Sequence, residues 1–139
     1  DLIEARDLAQ GLGDRVALSE AHRRLAEVEL ALGDHGRAQD DAAAAVSISE
    51  TVGSRVHVGC GHRVLGEIAH ARGDSAAADE HFRKAVDILG AMRNEVELAR
   101  TYRAFANFRE QTGNAGDAAK LRQRAQEIFT RLRGAAATE

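Results

Sequence analysis

The sequence predicts an all-α fold, an α-solenoid of seven helices stacked as antiparallel hairpins. Three observations lead to this prediction: a helix-favouring composition, an internal repeat of forty residues, and pairs of turn-forming residues at regular intervals. The composition indicates the helix content, the repeat indicates the stacked architecture, and the turn residues mark the helix boundaries.

Helix-forming residues dominate the composition. Proline is absent, aromatic residues make up 4% of the 139 residues, and the abundant Ala, Leu, Glu and Arg lose little on entering a helix. A chain of this length fits one domain with its own core. Lys84 and Lys120 are the two lysines among 19 basic residues, and this arginine bias is typical of proteins from GC-rich bacterial genomes.

Charge and hydropathy argue against several partners. The net charge is -3 and the pI is about 6.1, so the basic excess of a nucleic-acid binder is missing. No apolar run reaches the roughly 18 residues that a membrane span needs. The single cysteine, Cys60, has no second cysteine for an internal disulfide or a CxxC pair. We therefore expect a cytoplasmic protein that binds neither nucleic acid nor membrane.

The repeat is marked by glycines that precede a helix-capping residue. The pairs are Gly33–Asp34, Gly73–Asp74 and Gly113–Asn114. Glycine tolerates the positive φ at a helix C-terminus, and Asp or Asn caps the helix that follows. A second series of breaks, with the same spacing of forty residues, falls at Gly13–Asp14, Gly53–Ser54 and Arg93–Asn94.

These breaks define the predicted elements. Helices are expected over residues 1–12, 15–32, 35–51, 55–72, 75–91, 95–112 and 115–132. The chain is one repeat domain, residues 1–139, made of the second helix of a preceding unit, three repeats and a tail: residues 1–14, 15–54, 55–94, 95–134 and 135–139. Short connections enforce antiparallel hairpins, and stacking buries the apolar faces that one hairpin cannot bury alone.

Small residues recur where the two helices of each hairpin are expected to cross. One column is Ala26, Gly66 and Ala106, and the facing column is Ala38, Ala78 and Ala118. Such side chains let two backbones approach more closely than Leu or Phe would. Larger apolar residues follow at intervals of three and four, which places them on one helical stripe. In the first repeat this stripe is Leu18, Ala21, Leu25, Val28 and Leu32.

This pattern resembles the tetratricopeptide repeat, which includes W-x2-L-G-x2-Y and A-x3-F. The middle unit is most similar, with Leu65-Gly66, Ala78-x3-Phe82 and Ala85 at the corresponding positions. It departs from the pattern at His62, Ala69 and Gly90, and the flanking repeats have Ala42 and Arg122 in place of Phe82. The usual period is about 34 residues. The forty-residue form resembles the repeats of bacterial MalT-type regulators and kinesin light chains.

No motif for catalysis, metal binding or a cofactor emerges from the sequence. His22 and His62 share a repeat column with Tyr102, which indicates packing residues, and no histidines have the i, i+4 spacing of a helical zinc site. Cys60 is interpreted as a plain surface or groove thiol because no third group is spaced to orient a base. Gly59-Cys60-Gly61 lacks the lysine of a phosphate loop. We expect no enzyme activity, no cofactor and no metal.

The resemblance implies that the first helix of each hairpin lines a concave groove and that three of its positions contact a bound peptide. Those columns are Glu20, Cys60 and Arg100; Arg23, Arg63 and Arg103; and Glu27, Glu67 and Asn107. Arg23 with Glu27 and Arg63 with Glu67 have the i, i+4 spacing of ordinary helix-surface pairs. In the third repeat Asn107 replaces the glutamate, so Arg100 and Arg103 are expected to lack an internal anion and to bind a carboxylate.

Three functions remain open at this point. The leading hypothesis is a protein-interaction module that binds a peptide or helix in its groove, as part of a larger bacterial regulatory or scaffold protein. The first alternative is a structural module that self-assembles through its end helices. The second is the sensor domain of a MalT-like transcription regulator, with a small effector in the groove.

Overall fold

The computed structural model describes the backbone of residues 1–138 and the side chains of residues 1–135. Within this part of the chain every element is an α-helix. The seven helices are α1 (Leu2–Leu12), α2 (Arg15–Ala31), α3 (His35–Val52), α4 (Arg55–Ala71), α5 (Ser75–Ala91), α6 (Glu95–Gln111) and α7 (Ala115–Thr138). The predicted all-α fold of seven helices is thereby confirmed.

The turn residues form caps at the helix ends. The Asp14 carboxylate accepts a hydrogen bond from the Ala17 N–H at 3.0 Å, and Asp34, Asp74 and Asn94 cap their helices in the same way. All the glycines that begin the predicted turns have positive φ, and Arg93, which takes the place of a glycine, is forced to φ 55°. Cap chemistry therefore accounts for most of the breaks. Ser54 is the exception, because it makes no side-chain cap hydrogen bond and its hydroxyl instead bonds the His57 ring.

α7 extends beyond its predicted end. We expected it to stop near residue 132 and to be followed by a tail, but it continues to Thr138. Gly134 does not have the positive φ of the turn glycines, and it precedes three alanines, which are the best helix formers. Glu139, the end of the predicted tail, lies outside the described residues.

The helices form two layers. The first helices of the hairpins lie side by side, because α2 contacts α4 and α4 contacts α6, whereas α3, α5 and α7 do not contact one another within the described part of the chain. The first helices therefore make a closely spaced inner layer, and the second helices make a more widely spaced outer layer. A stack with this difference in spacing curves toward its inner layer.

The core follows the small-residue columns. Their members are buried: Ala26, Gly66, Ala106, Ala38, Ala78 and Ala118. A Cβ at Gly66 would lie 3.0 Å from the ring of Phe82, which shows how closely α4 and α5 approach. Phe82 stacks on Phe105 of the next repeat, with ring centroids 5.3 Å apart. Neighbouring hairpins thus share one continuous core.

The apolar stripe of α2 is only partly buried. Leu18 and Ala21 are buried as expected, but Val28 and Leu32 are 46% and 78% exposed. Ile68, the equivalent of Val28 in the second repeat, is fully buried. α1 packs on α2 with 11 residues, whereas α3 packs on α4 with 18.

Candidate functional site

The seven residues predicted to bind a peptide lie along the inner layer. Arg23 and Glu27 are on α2, Arg63 and Glu67 on α4, and the others, Arg100, Arg103 and Asn107, on α6. The helix periodicity that places each column on one face also places the three columns side by side. Among the described residues, carboxylates of the chain itself pair with Arg23, Arg63 and Arg100 but not with Arg103.

In the first repeat, Arg23 and Glu27 form the helix-surface pair that their spacing predicts. The Arg23 Nη1 donates to the Glu27 Oε1 at 2.7 Å. The Arg23 side chain is largely buried, and its Nε is enclosed without a hydrogen-bond partner among the described residues. Its charge is therefore already balanced, which leaves little for a ligand carboxylate to neutralise.

Arg63 makes a stronger contact than the one that its spacing predicts. It lies 3.9 Å from Glu67, but its Nη1 donates to the Glu97 Oε2 on α6 at 2.6 Å. Arg63 is 8% exposed, so α6 covers it. The contact joins two hairpins through the inner layer, and it makes Arg63 a poor contact residue for a peptide.

Glu97 also corrects the expectation for Arg100. The Arg100 Nη1 donates to the Glu97 Oε1 at 2.7 Å, so the prediction that Arg100 lacks an internal anion is wrong. The carboxylate stands one turn earlier on the same helix and serves both arginines. Burial opposes its ionisation, but the hydrogen bond and charge of Arg63, together with Arg100, hold the pKa of Glu97 below its ordinary value. Glu97 is therefore a carboxylate at neutral pH.

Cys60 is buried rather than exposed in the groove. It is 3% exposed, and its Sγ donates to the Glu97 Oε2 at 3.5 Å. Burial raises the pKa of the Cys60 thiol to about 11, with the charge of Arg63 opposing the rise. The thiol is protonated at neutral pH, and a protonated thiol is a poor nucleophile.

The C-terminal end of the inner layer keeps an unneutralised cation. Arg103 is exposed, and its guanidinium lies over the Phe129 ring of α7 at 4.3 Å from the centroid. It forms no ion pair with any residue that the structure describes. Asn107 is close by, since both residues line one cavity with Arg122 and Gln126. The Arg122 Nη2 donates to the Asn107 Oδ1 at 3.1 Å.

Sequence reasoning missed the contribution of α7 to this end. Arg122, Phe129 and Arg133 stand beside Arg103, but their column positions did not mark them as groove residues. One signal was present: Arg122 occupies the column in which the second repeat has Phe82. A charged residue in an otherwise apolar column indicates that the side chain turns out of the core.

Three histidines, His22, His62 and His81, lie between the two helices of their own hairpins. The His22 Nδ1 is 2.7 Å from the Asp41 Oδ1, and His62 stacks on His81 with ring centroids 5.2 Å apart. Both positions fit the packing role that their repeat column predicts. Among the described residues, no cluster of three or more His, Cys, Asp or Glu side chains is arranged to hold a metal ion. In the same part of the chain, no helix has the length and hydropathy for crossing a bilayer.

Paired helices, glycine turns at forty-residue spacing and an inner layer of first helices define a helical-repeat solenoid. The family model described as tetratricopeptide repeat matches residues 17–91, which is more than half of the 139 residues. The chain belongs to the tetratricopeptide repeat family. Repeats of this family are generally protein–protein interaction modules and are typically not enzymes. A search of curated proteins finds no match to the chain.

Proposed function

We propose that the chain binds a helix or peptide of a partner protein along its inner layer, with a carboxylate of the partner at Arg103. The observation that carries this proposal is the difference between Arg63 and Arg103, which occupy the same position in successive repeats. Arg63 binds Glu97 of the following helix at 2.6 Å. Arg103 is exposed and has no carboxylate partner among the described residues. A partner carboxylate would fill the place that Glu97 fills one repeat earlier.

The surroundings of Arg103 define what such a partner would present. Phe129 and Leu132 offer apolar surface on α7, and Arg133 adds a second cation to the same cavity. Glu97 stands in the first turn of its helix, next to the Asn94 cap. By analogy, the partner would present a carboxylate in the first turn of a helix, together with an apolar residue directed at Phe129.

A photo-crosslinking experiment tests where a partner binds. Benzoylphenylalanine is placed at Asn107, which is exposed on the inner layer, and at Lys84, which is exposed on the outer layer, as the matched control. We expect a crosslinked partner protein from Asn107 and none from Lys84. Equal crosslinking from both positions would contradict the proposal.

Titration of the recovered partner then tests the role of Arg103. Arg103→Ala should weaken binding by about 2 to 4 kcal/mol, because a charge-assisted contact is lost in a partly desolvated site. Arg100→Ala and Arg23→Ala should each cost under about 1 kcal/mol, since Glu97 and Glu27 already neutralise these cations. The effect of Arg103 should shrink as salt rises. Unchanged affinity of Arg103→Ala, with helicity intact, would exclude this end of the groove.

The wider setting is also a proposal. Arginine bias and the resemblance to longer regulator repeats support a bacterial, cytoplasmic protein in which this domain serves a larger regulator or scaffold. An immunoblot of fractionated cells of the source organism tests it, because a larger protein in the cytoplasmic fraction is expected. A band at 14.9 kDa, or one in another fraction, would contradict it.

Self-association is a second candidate function, and one observation favours it. α1 exposes three large apolar residues, Ile3, Leu8 and Leu12, which are 54%, 64% and 75% exposed. Another copy would bury them by pairing end helices. A concentration series in light scattering should show dimers that Leu8→Glu with Leu12→Glu abolishes. A monomer at all concentrations would eliminate this candidate. The small effector in the groove stays a prediction, which calorimetry against a metabolite panel tests.

A further inference from the structure

A second concave site lies on the outer layer, and Arg103 is not among its lining residues. A cavity of about 300 Å³ opens between α5 and α7, with α6 as its floor. Its apolar lining is Val86, Tyr102, Phe105 and Leu121, and its cationic lining is Arg83, Arg109, Lys120 and Arg124. Two carboxylates, Asp87 and Asp117, complete the rim. No part of the proposed peptide site contributes to it.

Two side chains that line the cavity, Tyr102 and Leu121, differ from their equivalents in the second repeat. In the second repeat, the equivalents of Tyr102 and Leu121 are His62 and His81, whose rings stack and whose Nδ1 atoms lie 3.0 Å apart. Tyr102 instead packs with Ala99, Ala125 and Ile128, whereas Leu121 packs against the phenylalanine cluster of Phe82, Phe105 and Phe108. Tyr102 and Leu121 thus pack on two different apolar clusters, and both line the cavity.

The charge on the α7 rim also changes between repeats. The second repeat has Glu80 and Lys84 at the equivalent positions, and these neutralise each other at 3.1 Å. The third repeat has Lys120 and Arg124, two cations one turn apart on one face of α7. Neither forms an ion pair with a residue that the structure describes; Arg124 only approaches the Tyr102 ring, at 5.9 Å from its centroid. The positive charge at this rim is therefore open to an anion.

The remaining charges of the lining are already engaged. Arg83 and Arg109 both pair with Asp79. Asp117 accepts a hydrogen bond from the Asn114 side chain at 2.8 Å. The pKa of Arg83 is raised chiefly by Asp79, with smaller contributions from the charges of Asp117 and Asp87. An incoming anion would therefore find its counterions at Lys120 and Arg124.

We infer that this cavity binds a small aromatic carboxylate. The ring would lie against Tyr102, Phe105 and Leu121, and the carboxylate would bind Lys120 and Arg124. The lining spans two helical turns on α6 and on α7, a length of about 11 Å, which suits one or two rings and is too short for a peptide segment. The volume stands at the lower end of the range of about 300 to 1,000 Å³ that is usual for small-molecule sites.

A titration of the full chain with 1-naphthoate, monitored by ¹H–¹⁵N NMR, tests the inference. We expect shifts confined to the cavity lining and a Kd of about 1 mM or tighter, as befits a ligand of this size. The neutral analogue 1-naphthamide should bind about tenfold more weakly, because it lacks the charge that Lys120 and Arg124 recognise. Absence of saturable shifts, equal binding of the neutral analogue, or shifts centred elsewhere would each overturn the inference.

Three variants separate the contributions of charge and space. Lys120→Gln with Arg124→Gln should weaken naphthoate binding about tenfold and leave naphthamide unchanged. Lys84→Gln is the matched control, since Lys84 is the equivalent of Arg124 in the second repeat, and it should bind naphthoate normally. Leu121→Trp should fill the cavity and prevent binding of both compounds. Thermal melts establish that each variant is folded, and undiminished binding by folded Leu121→Trp would place the ligand elsewhere.

Discussion

The Arg63 guanidinium on α4 binds the Glu97 carboxylate on α6 at 2.6 Å, across the boundary between two repeats. Both side chains are largely buried, at 9% and 18% exposure, and Glu97 also accepts from Arg100 and Cys60. One carboxylate thus compensates a buried cation and ties neighbouring hairpins together. The contact has consequences for stability that an exposed ion pair would not have.

Glu97→Gln should destabilise the fold by about 3 kcal/mol, because it leaves the Arg63 charge buried without an anion. Urea unfolding at neutral pH measures the loss. Glu95→Gln is the matched control on the same helix. Glu95 pairs with Arg131 at 2.5 Å, but the Arg131 and Glu95 side chains are 59% and 37% exposed, so the cost should stay under about 1 kcal/mol. Equal losses in the two variants would show that the Arg63–Glu97 pair contributes no more to stability than an exposed ion pair does.

Gly66→Leu should cost several kcal/mol, because a large side chain would enter the closest approach of α4 and α5. Even a Cβ there would lie 3.0 Å from the Phe82 ring, and overpacking forces rotamers and backbones to move. Gly90→Ala is the control, since a Cβ at Gly90 meets nothing within 4 Å and alanine favours helix by about 1 kcal/mol. Denaturant titrations compare the two. A loss below about 0.5 kcal/mol for Gly66→Leu would contradict the tight crossing.

Much of the fold was predictable because the same turn residues recur at the same positions in successive repeats. Gly33 and Gly73 each precede an aspartate, so both helix ends could be assigned from cap chemistry. α7 was harder, since Gly134 is not followed by a capping residue and nothing local marks where the helix stops. The incomplete burial of Val28, which is 46% exposed, depends on which side chains of neighbouring helices reach it, and that is a tertiary property.

The site was predictable only within single helices. The pairing of Arg23 with Glu27 follows from i, i+4 spacing. The contact of Arg63 with Glu97 joins residues 34 positions apart, and only the stacking of α4 on α6 brings them together. The contact of Arg122 with Asn107 also joins two helices, α7 and α6, so the spacing within a single helix could not predict it.

Arg93→Gly should stabilise the protein by about 1 kcal/mol. Arg93 has φ 55°, in the left-handed region that costs a non-glycine residue about 1 kcal/mol or more, and Gly53 occupies the same turn one repeat earlier with φ 73°. The greater freedom of glycine in the unfolded chain offsets part of this gain. Thermal melts measure the change, and Arg72→Gly, in a helical C-cap at φ -85°, should destabilise instead. A loss of stability in Arg93→Gly would show that the arginine side chain contributes more than its backbone strain costs.

The His62–His81 pair should make stability fall with acid. The Nδ1 atoms lie 3.0 Å apart, a contact in which one ring must donate and the other accept, so at least one of the two rings must be neutral. Burial, followed by the charge of His81, lowers the pKa of His62 from 6.5 to about 4, and burial also lowers the pKa of His81. The unfolded chain binds protons more readily than the folded one between pH 6.5 and pH 4. The contribution is therefore present above pH 6.5 and is lost as the pH falls toward 4.

Glu29 acts in the opposite direction over an overlapping pH range. Burial, together with the nearby charge of Asp41, raises its pKa from 4.5 to about 7. The folded state favours its protonated form, so its contribution is present below pH 4.5 and is lost as the pH rises toward 7. A pH titration of the wild type alone would therefore show two opposing effects. Comparison with a variant that changes only the histidines cancels the contribution of Glu29.

His62→Tyr with His81→Leu installs the residues of the third repeat and removes both titrating groups. Relative to this variant, the wild type should lose about 2 kcal/mol of stability between pH 7 and pH 4.5. The reason is that His62 and His81 take up protons in the unfolded chain more readily than in the folded chain. Urea unfolding of both proteins across this range measures how the free energy of unfolding changes with pH. Repacking in the variant would change that free energy equally at every pH, so it does not affect the comparison. His57→Gln is the control at a histidine whose ring bonds Ser54 at 2.7 Å rather than another histidine, and it should leave the acid loss intact. If the free energy of unfolding changed with pH in the same way in the wild type and the double variant, protonation of the stacked pair would have no effect on stability, and the prediction would be wrong.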